Sequence, residues 1–351
     1  MLTNKLVGFT CSYTPLPLIH AAGYAPYRLF PLDNSKDSAG HILHDNLCPH
    51  VKKILDRGID NNTPEMSGVV FMNSCDAMRR LFDGWRKARP NDKAILIDFP
   101  ATSDDSAINF FALELSRLWK ELWEWNGRVG DLSSIKQSIS IYNDLYSLFS
   151  DVTSKIRKAR LKDGNLKIQE LYNKASTEPP ENIIPILKNL QASINSALDN
   201  DSNSVPIFLF GNVLYELDAF KLFNDCGAFI CDDDLCTGSR LFYPINITEE
   251  EDLFLSLSKS IFSRSFCART FDPKYPLKFA EDILNKAKAC NAKGVIAHVL
   301  KFCDPYLIRL PIVREILKEN SLPLLVLEGD CTLRSIGQQK TRIEAFIEML
   351  R

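Results

Sequence analysis

The sequence predicts an α/β protein with two parallel-sheet domains and a helical domain between them. Short apolar runs alternate with amphipathic stretches over residues 1–103, and the same alternation returns over residues 205–351. Residues 104–204 carry long amphipathic stretches without a strand pattern. Because successive parallel strands are joined by crossover helices, alternation at this spacing indicates doubly wound parallel sheets. We therefore predict domains at 1–103, 104–204 and 205–351.

The first domain is predicted to contain four strands. Apolar runs bounded by turn-forming residues are typical of buried strands, and a proline at the start with a glycine at the end is typical of a helix. By these signals the strands are KLVGFT, YAPYRLFPL, SGVVFMN and KAILIDFP. The predicted helices are TPLPLIHAAG, which Gly23 ends, and DAMRRLFDGWRKARP, which Pro90 closes.

The rest of the chain divides in a similar way. The amphipathic segments that predict the helical domain are INFFALELSRLWKELWEWNG, SIKQSISIYNDLYSLFSDVTSKIRKARLK and ENIIPILKNLQASINSALDN. Strands of the second α/β domain are predicted at PIFLFGN, GAFICDDDLC, KGVIAHVLKFCDPY and LPLLVLEGD. The chain is predicted to finish on the helix TRIEAFIEMLR.

Composition and charge exclude several classes of protein. With 351 residues, 45% of them hydrophobic, the chain can bury a large core, which excludes a disordered or fibrous protein. The net charge of −2, from 42 basic and 44 acidic residues, predicts neither a nucleic-acid nor a membrane partner. The first residues lack a signal-peptide pattern, and no run of about 20 apolar residues occurs. We therefore expect a cytoplasmic protein.

The cysteines are the residues most suggestive of chemistry. The chain has ten, which is more than packing requires, and a reducing compartment argues against disulfides. Six of them stand beside turn formers, a helix start or an arginine, where a thiolate is stabilised. Because soft thiolates suit iron–sulfur clusters and zinc, these six are candidate metal ligands. They are Cys11, Cys48, Cys75, Cys236, Cys267 and Cys303.

The alternative for each of the six is ordinary packing, since free cysteine is among the most buried residue types. Zinc is less favoured than an iron–sulfur cluster, because the chain has no pair of CxxC motifs. Cys226 and Cys231 are interpreted as packing residues, and Cys290 as a thiol without a partner. Cys331 follows a predicted strand end and is kept as a reserve ligand.

Two stretches of the α/β domains repeat one pattern. GVVFMNSCDAMRR and GVIAHVLKFCDPY both run from a glycine through an apolar strand to a cysteine, an aspartate and a helix start. The repeat predicts that Cys75 and Cys303 lie at equivalent strand ends, where the two domains face each other. Asp76 and Asp304 are predicted to cap the helices that follow.

Other side chains carry weaker signals. Arg79, Arg240 and Arg269 are interpreted as solvated, with donation to sulfides or a substrate anion as the alternative. Trp119, Trp123 and Trp125 are interpreted as packing between domains, with an apolar cover over a reactive metal as the alternative. His41 and His44 are assigned to a solvated loop and His298 to the core. No GxxxxGK[ST], GxGxxG or GxSxG motif occurs, so the usual nucleotide and serine-hydrolase sites are not predicted.

Six stretches taken together resemble the 2-hydroxyacyl-CoA dehydratase and benzoyl-CoA reductase superfamily, and in particular its D-component. They cover both ends of the chain, outside the helical middle. The stretches are CSYTPLPLIHAAGYAPYRL, LCPHVKKIL, VVFMNSCDAMRRLFDGW, DDDLCTGSR, KFCDPY and LEGDCTLRSIGQQKTRIEAFIEML.

The resemblance implies an oxygen-sensitive iron–sulfur enzyme, a reductase or a dehydratase. It implies two Rossmann-like or flavodoxin-like domains with a helical domain, and a dimer formed with itself or with a similar subunit. A separate ATP-hydrolysing activator protein with its own [4Fe–4S] cluster would reduce it. The implied substrate is a small molecule or an acyl-CoA thioester, and no residue is assigned a catalytic role.

The cysteine usage resembles the branch of this superfamily that holds a double-cubane [8Fe–9S] cluster. Cys11, Cys48 and Cys75 match one triplet of ligands, and Cys236, Cys267 and Cys303 supply another. Two alternatives stay open: a dehydratase subunit with a single [4Fe–4S] cluster, and a non-catalytic protein that stores electrons or carries a cluster.

Overall fold

The computed structural model describes the chain as two compact units. Residues 5–32, 36–128, 130–194, 203–248, 250–330 and 336–351 are described. Unit 1 comprises Met1–Tyr146, Ala175–Ile183 and Tyr243–Lys274. Unit 2 comprises Ser147–Lys174, Ile184–Phe242 and Tyr275–Arg351. The reserve ligand Cys331 lies outside the described residues.

Unit 1 contains a four-stranded parallel sheet, which confirms the four strands predicted there. The strand order is β2-β1-β3-β4, and β3 pairs with both β1 and β4. Five successive residues of β3 are buried, as expected for an inner strand covered on both faces. The strands are β1 (Leu6–Phe9), β2 (Ala25–Arg28), β3 (Met66–Asn73) and β4 (Ala94–Asp98).

Local sequence signals account for the ends of the first helices. A proline lies in the first turn of α1 and α2, where its fixed φ and missing N–H are tolerated. Asp104 caps α4 by accepting the N–H of Ala107 at 2.9 Å, and Gly127 ends α4 with a φ of +66°. The helices are α1 (Leu16–Ala21), α2 (Pro49–Ile59), α3 (Asp76–Ala88) and α4 (Asp105–Asn126).

Helices continue beyond α4, as the sequence predicts. They are α5 (Leu132–Lys158), α6 (Gly164–Thr177) and α7 (Pro180–Ser193), and each contributes residues to both units. Within the unit 1 part of α5, buried side chains recur at intervals of three and four residues, which is the spacing of one helix face. They are Ile135, Ile139, Tyr142 and Tyr146.

Unit 2 contains a second four-stranded parallel sheet, and its four predicted strands are also confirmed. The strands are β5 (Val205–Gly211), β6 (Ala228–Leu235), β7 (Gly294–Leu300) and β8 (Leu324–Gly329), in the order β6-β5-β7-β8. Among the remaining helices, α9 (Leu253–Ser263) belongs to unit 1 and packs against α4. The others belong to unit 2: α8 (Leu217–Asp225), α10 (Lys278–Ala289), α11 (Asp304–Glu319) and α12 (Ile336–Leu350).

The two sheets have the same strand order when each is numbered along the chain. β3 and β7 are therefore the third strands of their sheets. Cys75 precedes α3 as its N-cap residue, and Cys303 precedes α11 in the same role. The two cysteines thus occupy equivalent places in the two folds. Asp76 and Asp304 are the first helical residues, which corrects the prediction that they occupy the cap positions.

Aromatic side chains fill much of unit 1. Trp85 is fully buried, 5.7 Å from the ring of Phe71. Trp119 and Trp123 meet edge to face at 5.4 Å, and Trp125 donates its indole N–H to Glu121 at 3.0 Å. The three tryptophans noted in the sequence therefore pack within unit 1. Among the described residues, no helix is both long and apolar enough to cross a membrane.

Candidate functional site

Two of the six candidate cysteines lie close together in unit 2. Cys236 follows β6 and Cys303 follows β7, and these strands flank β5 in the sheet. Because carboxyl ends of parallel strands share one edge of a sheet, both thiols stand at the edge where such folds bind ligands. Asn212, the residue directly after β5, lies between them and bonds to both residues.

Asn212 fixes the positions of the two cysteines. Its backbone carbonyl accepts the N–H of Cys236 at 2.9 Å. Its side-chain oxygen accepts the N–H of Leu300 at 2.9 Å, so its amide nitrogen faces Cys303 and donates to the Sγ at 3.1 Å. Asn212 was not predicted from the sequence, where the only signal for it is a polar residue immediately after the apolar run PIFLFG.

Arg240 is buried, which corrects its interpretation as a solvated arginine. Its Nε donates to Asp234 at 2.9 Å, and its Nη1 donates to the hydroxyl of Tyr306 at 2.9 Å. The same Nη1 lies 3.4 Å from Cys236 Sγ, so the guanidinium also donates to sulfur. Tyr306 in turn donates to the carbonyl of Gly211 at 2.7 Å. This network holds the positive charge of Arg240 beside Cys236.

The charges and burial of this site shift two pKa values in opposite directions. Burial opposes ionisation of Asp234, but Arg240 and Lys286 outweigh it and hold the pKa of that carboxyl below its usual range. Burial raises the pKa of the Cys303 thiol, although Asn212 donates to its sulfur. Cys303 is therefore a neutral thiol near pH 7, and a bound metal ion would displace its proton.

Gly211, directly before Asn212, lies closer to the neighbouring strand than a residue with a side chain could. Its φ is +150°, and an added Cβ would lie 1.9 Å from the carbonyl oxygen of His298 on the neighbouring strand. We expect Gly211→Ala to lower the free energy of unfolding by about 3 kcal/mol, as measured by urea denaturation. Gly329→Ala, at the end of β8, is the matched control because its Cβ would meet open space. Equal effects of the two changes would contradict this prediction.

The other four candidate cysteines lie in unit 1. Cys11 follows β1 and Cys75 follows β3, which are neighbouring strands. Cys48 is the buried N-cap residue of α2. Cys267, which the resemblance grouped with Cys236 and Cys303, belongs to unit 1, where its backbone N–H donates to the hydroxyl of Tyr13 at 3.0 Å.

Several buried polar atoms adjoin these cysteines in the sequence without a hydrogen-bond partner in the described ranges. They are the hydroxyls of Thr10 and Thr14, one residue before and three residues after Cys11, and both ring nitrogens of His50, two residues after Cys48. Burial, aided by the charge of Arg28, lowers the pKa of His50 to about 3. Hydroxyl and N–H donors without partners suit an anionic, sulfide-rich group, because they can donate to its sulfur atoms.

A cavity of about 460 Å³ lies at the carboxyl ends of β3 and β4, a size usual for small-molecule sites. Asn73 and Asp98 both line this cavity. The side-chain amide of Asn73, two residues before Cys75, donates to the carboxylate of Asp98 at 2.7 Å. Arg269, also in the lining, donates to the carbonyls of Phe99 at 2.8 Å and Pro100 at 2.6 Å. Arg269 is thus held by backbone groups, whereas Arg79 pairs with Asp76 on the surface, as expected.

Other histidines and cysteines noted in the sequence lie outside the six candidate ligands. His44 lies in an exposed loop, and His298 is buried with neither ring nitrogen hydrogen-bonded in the described residues. Burial lowers the pKa of His298 to about 4. Cys226 is buried, as expected of a packing residue. Cys290 was expected to have no partner, but its Sγ lies 2.8 Å from that of Cys231.

The donor chemistry fits an iron–sulfur group in part. In the described ranges, no group of three or more His, Cys, Asp or Glu side chains is arranged to hold a metal ion. Cys236 and Cys303, however, are paired at a ligand-binding edge, and each sulfur already accepts an N–H bond. Sulfur ligands of iron–sulfur clusters accept such bonds. The positions of these two thiols, and the N–H donors beside them, therefore suit ligation of iron by cysteine.

Comparison with known proteins connects this chain to one family. Lactoyl-CoA dehydratase subunit beta of Anaerotignum propionicum is 22% identical over 346 residues, which cover 98% of this chain and 91% of the relative. A benzoyl-CoA reductase subunit of Thauera aromatica is 24% identical over 329 residues, covering 92% and 85%. The (R)-phenyllactyl-CoA dehydratase beta subunit of Clostridium sporogenes is 21% identical over 352 residues, covering 99% and 92%.

The family profile for the D-component of 2-hydroxyglutaryl-CoA dehydratase matches residues 11–350. The match begins at Cys11, after β1, and includes the other seven strands and the sheet edge that carries Cys236 and Cys303. It confirms the resemblance drawn from the sequence motifs. The chain belongs to the 2-hydroxyglutaryl-CoA dehydratase D-component family.

Proposed function

We propose that this chain is the iron–sulfur subunit of an enzyme that reduces or dehydrates a small substrate, as its named relatives suggest. The proposed ligands are Cys11, Cys48, Cys75, Cys236, Cys267 and Cys303, and the proposed cofactor is a double-cubane [8Fe–9S] cluster. The observation that carries the proposal is the Cys236 and Cys303 pair, with an N–H donor on each sulfur.

Iron–sulfur clusters, when bound, supply single electrons at a potential that the protein tunes. The residues of unit 2 are suited to that tuning. Arg240 cannot turn away from Cys236, because Asp234 and Tyr306 hold its guanidinium in place. Its guanidinium would donate an N–H bond to the sulfur of a cysteine ligand at position 236, and such bonds tune the potential of a bound cluster. Asn212 does the same for Cys303 through one neutral N–H bond, in a buried setting that opposes added negative charge.

Counting iron and sulfide after anaerobic purification tests the cofactor. About eight irons and nine sulfides per chain would support the double cubane, whereas about four of each would indicate a single [4Fe–4S] cluster, as in a dehydratase subunit. No iron after anaerobic reconstitution would contradict both forms. The iron should be lost together with the visible absorption of the cluster when the protein is exposed to air.

The proposed partners are an ATP-hydrolysing [4Fe–4S] activator protein and a second subunit of similar sequence or a second copy of this chain. The names of the relatives support a subunit role, since each is named as one subunit of an enzyme. The test is turnover of 2-hydroxyacyl-CoA thioesters with activator and ATP, with and without a second subunit that co-purifies. Electron uptake without turnover of any substrate would instead indicate an electron-storage protein.

A further inference from the structure

Two thiols outside the proposed ligand set form a close pair in unit 2. Cys231 lies on β6, and Cys290 is the C-cap residue of α10, 59 positions later in the sequence. Their Sγ atoms are 2.8 Å apart. Cys231 Sγ also lies 3.2 Å from the carbonyl oxygen of Ile207, and Cys290 Sγ lies 3.4 Å from that of Ala287.

We propose that Cys231 and Cys290 are a site of reversible oxidation, at which a low-molecular-weight disulfide converts the two thiols into one protein disulfide. The positions of the two sulfurs carry this inference, because little further approach is needed for a bond between them. It concerns residues that the proposed cofactor does not use.

The surroundings assign different roles to the two thiols. Cys231 is buried, whereas Cys290 is partly exposed and within reach of a small oxidant. Cys231 donates to Cys290, and this bond raises the pKa of the Cys231 thiol and lowers that of Cys290. Cys290 therefore ionises first, and the thiolate is the attacking species in disulfide exchange.

The exchange proceeds in two balanced steps. The Cys290 thiolate attacks one sulfur of the small disulfide, which forms a mixed disulfide and releases one small thiolate. Cys231 then loses its proton to the solvent and attacks the sulfur of Cys290, which releases the second small thiolate. Two electrons pass from the protein thiols to the small disulfide, which leaves as two thiols after protonation.

The bond would join β6 to α10 five residues before the proposed ligand Cys236. β6 ends at Leu235, directly before Cys236, and Lys286 of α10 already lies 3.5 Å from the carboxylate of Asp234 on β6. The disulfide would be a second link between the same two elements. Oxidation would therefore keep β6, the strand that leads to Cys236, from moving away from α10.

Peptide mapping of the anaerobically purified holoprotein tests the inference. The protein is treated with oxidised glutathione, free thiols are alkylated, and the digest is analysed without reductant. We expect the peptides with Cys231 and Cys290 to be joined, and to separate after treatment with dithiothreitol. We also expect the oxidised protein to unfold about 5–10 °C higher than the reduced protein, because the bond closes a long loop.

Two variants control the experiment. Cys290→Ser should abolish the linked peptide and leave Cys231 a free thiol, alkylated once the protein is denatured, because the buried thiol does not meet glutathione in the folded protein. Cys226→Ser, which removes another buried thiol of unit 2, should leave the link intact. The inference would be overturned if wild-type protein kept both thiols alkylatable, or if glutathione stayed on Cys290 without transfer to Cys231.

Discussion

Replacing Arg240 by methionine is expected to lower the free energy of unfolding by about 3–5 kcal/mol. The change leaves the carboxylate of Asp234 buried without the guanidinium that now lies 2.9 Å away. It also removes the donors to Tyr306 and Cys236. Urea denaturation at pH 7, followed by circular dichroism, measures the effect as a lower midpoint.

Arg79→Met is the matched control for this variant. Arg79 pairs with Asp76 at 2.9 Å, a separation equal to that of the buried pair, but both side chains are about half exposed. Exposed pairs are worth less than about 1 kcal/mol, because water and salt screen them. If the two arginine variants lost equal stability, the buried pair would not have the role assigned to it.

The stability lost by Arg240→Met should also depend on pH. Arg240 and Lys286 hold the pKa of Asp234 below its usual range, against the effect of burial. Ionised Asp234 therefore contributes its full share of the free energy of unfolding at pH values above about 4, the pKa of an aspartate in the unfolded chain. That contribution is lost as the pH falls through the lower pKa that Asp234 has in the folded protein. The difference between wild type and variant should be greatest near neutral pH and shrink in acid.

The Cys303→Ser variant is expected to lose about half or more of its iron per chain. A serine hydroxyl is a harder ligand than a thiolate and does not replace it at iron. Activity with the activator and ATP should fall by more than about 100-fold, because changes to groups that only support a ligand already cost 10–100-fold. Iron analysis of anaerobically purified protein gives the first readout and initial rates the second.

Cys226→Ser serves as the control for the cysteine variant. Burial raises the pKa of the Cys226 thiol to about 11, and its sulfur lies 3.8 Å from the carbonyl oxygen of Lys340. It is a packing residue of unit 2, so its replacement should leave the iron content unchanged. Wild-type iron content in Cys303→Ser would remove Cys303 from the ligand set.

The strands and the cysteine positions at their ends could be predicted from the sequence, because apolar periodicity and the turn formers around it are local. The repeated pattern around Cys75 and Cys303 likewise placed both before a helix. The roles of Asn212 and Arg240 could not be predicted, because each has partners distant in the sequence. Asn212 bonds to Leu300 and Cys303, and Arg240 to Tyr306 of α11. An arginine in DDDLCTGSR is solvated by default, and only tertiary structure shows that Asp234 and Tyr306 bury it.

Two features depend on contacts that no short stretch encodes. Cys231 and Cys290 are 59 positions apart, one in a strand and one at a helix end, so nothing local pairs them. Cys267 lies between Cys236 and Cys303 in sequence, yet it belongs to the other unit, beside Tyr13. Proximity along the chain is a poor guide to proximity in space where a protein is built from interleaved segments.

The interleaving of the two units limits how this protein can be taken apart. The chain leaves one unit for the other after residues 146, 174, 183, 242 and 274. A gene fragment that ended after β4 or began at β5 would therefore encode neither unit whole. Helices α5, α6 and α7 would each be cut by a boundary drawn between the units. Fragment expression and limited proteolysis should accordingly yield unstable pieces, so reconstitution of the proposed cluster calls for a polypeptide that contains both units.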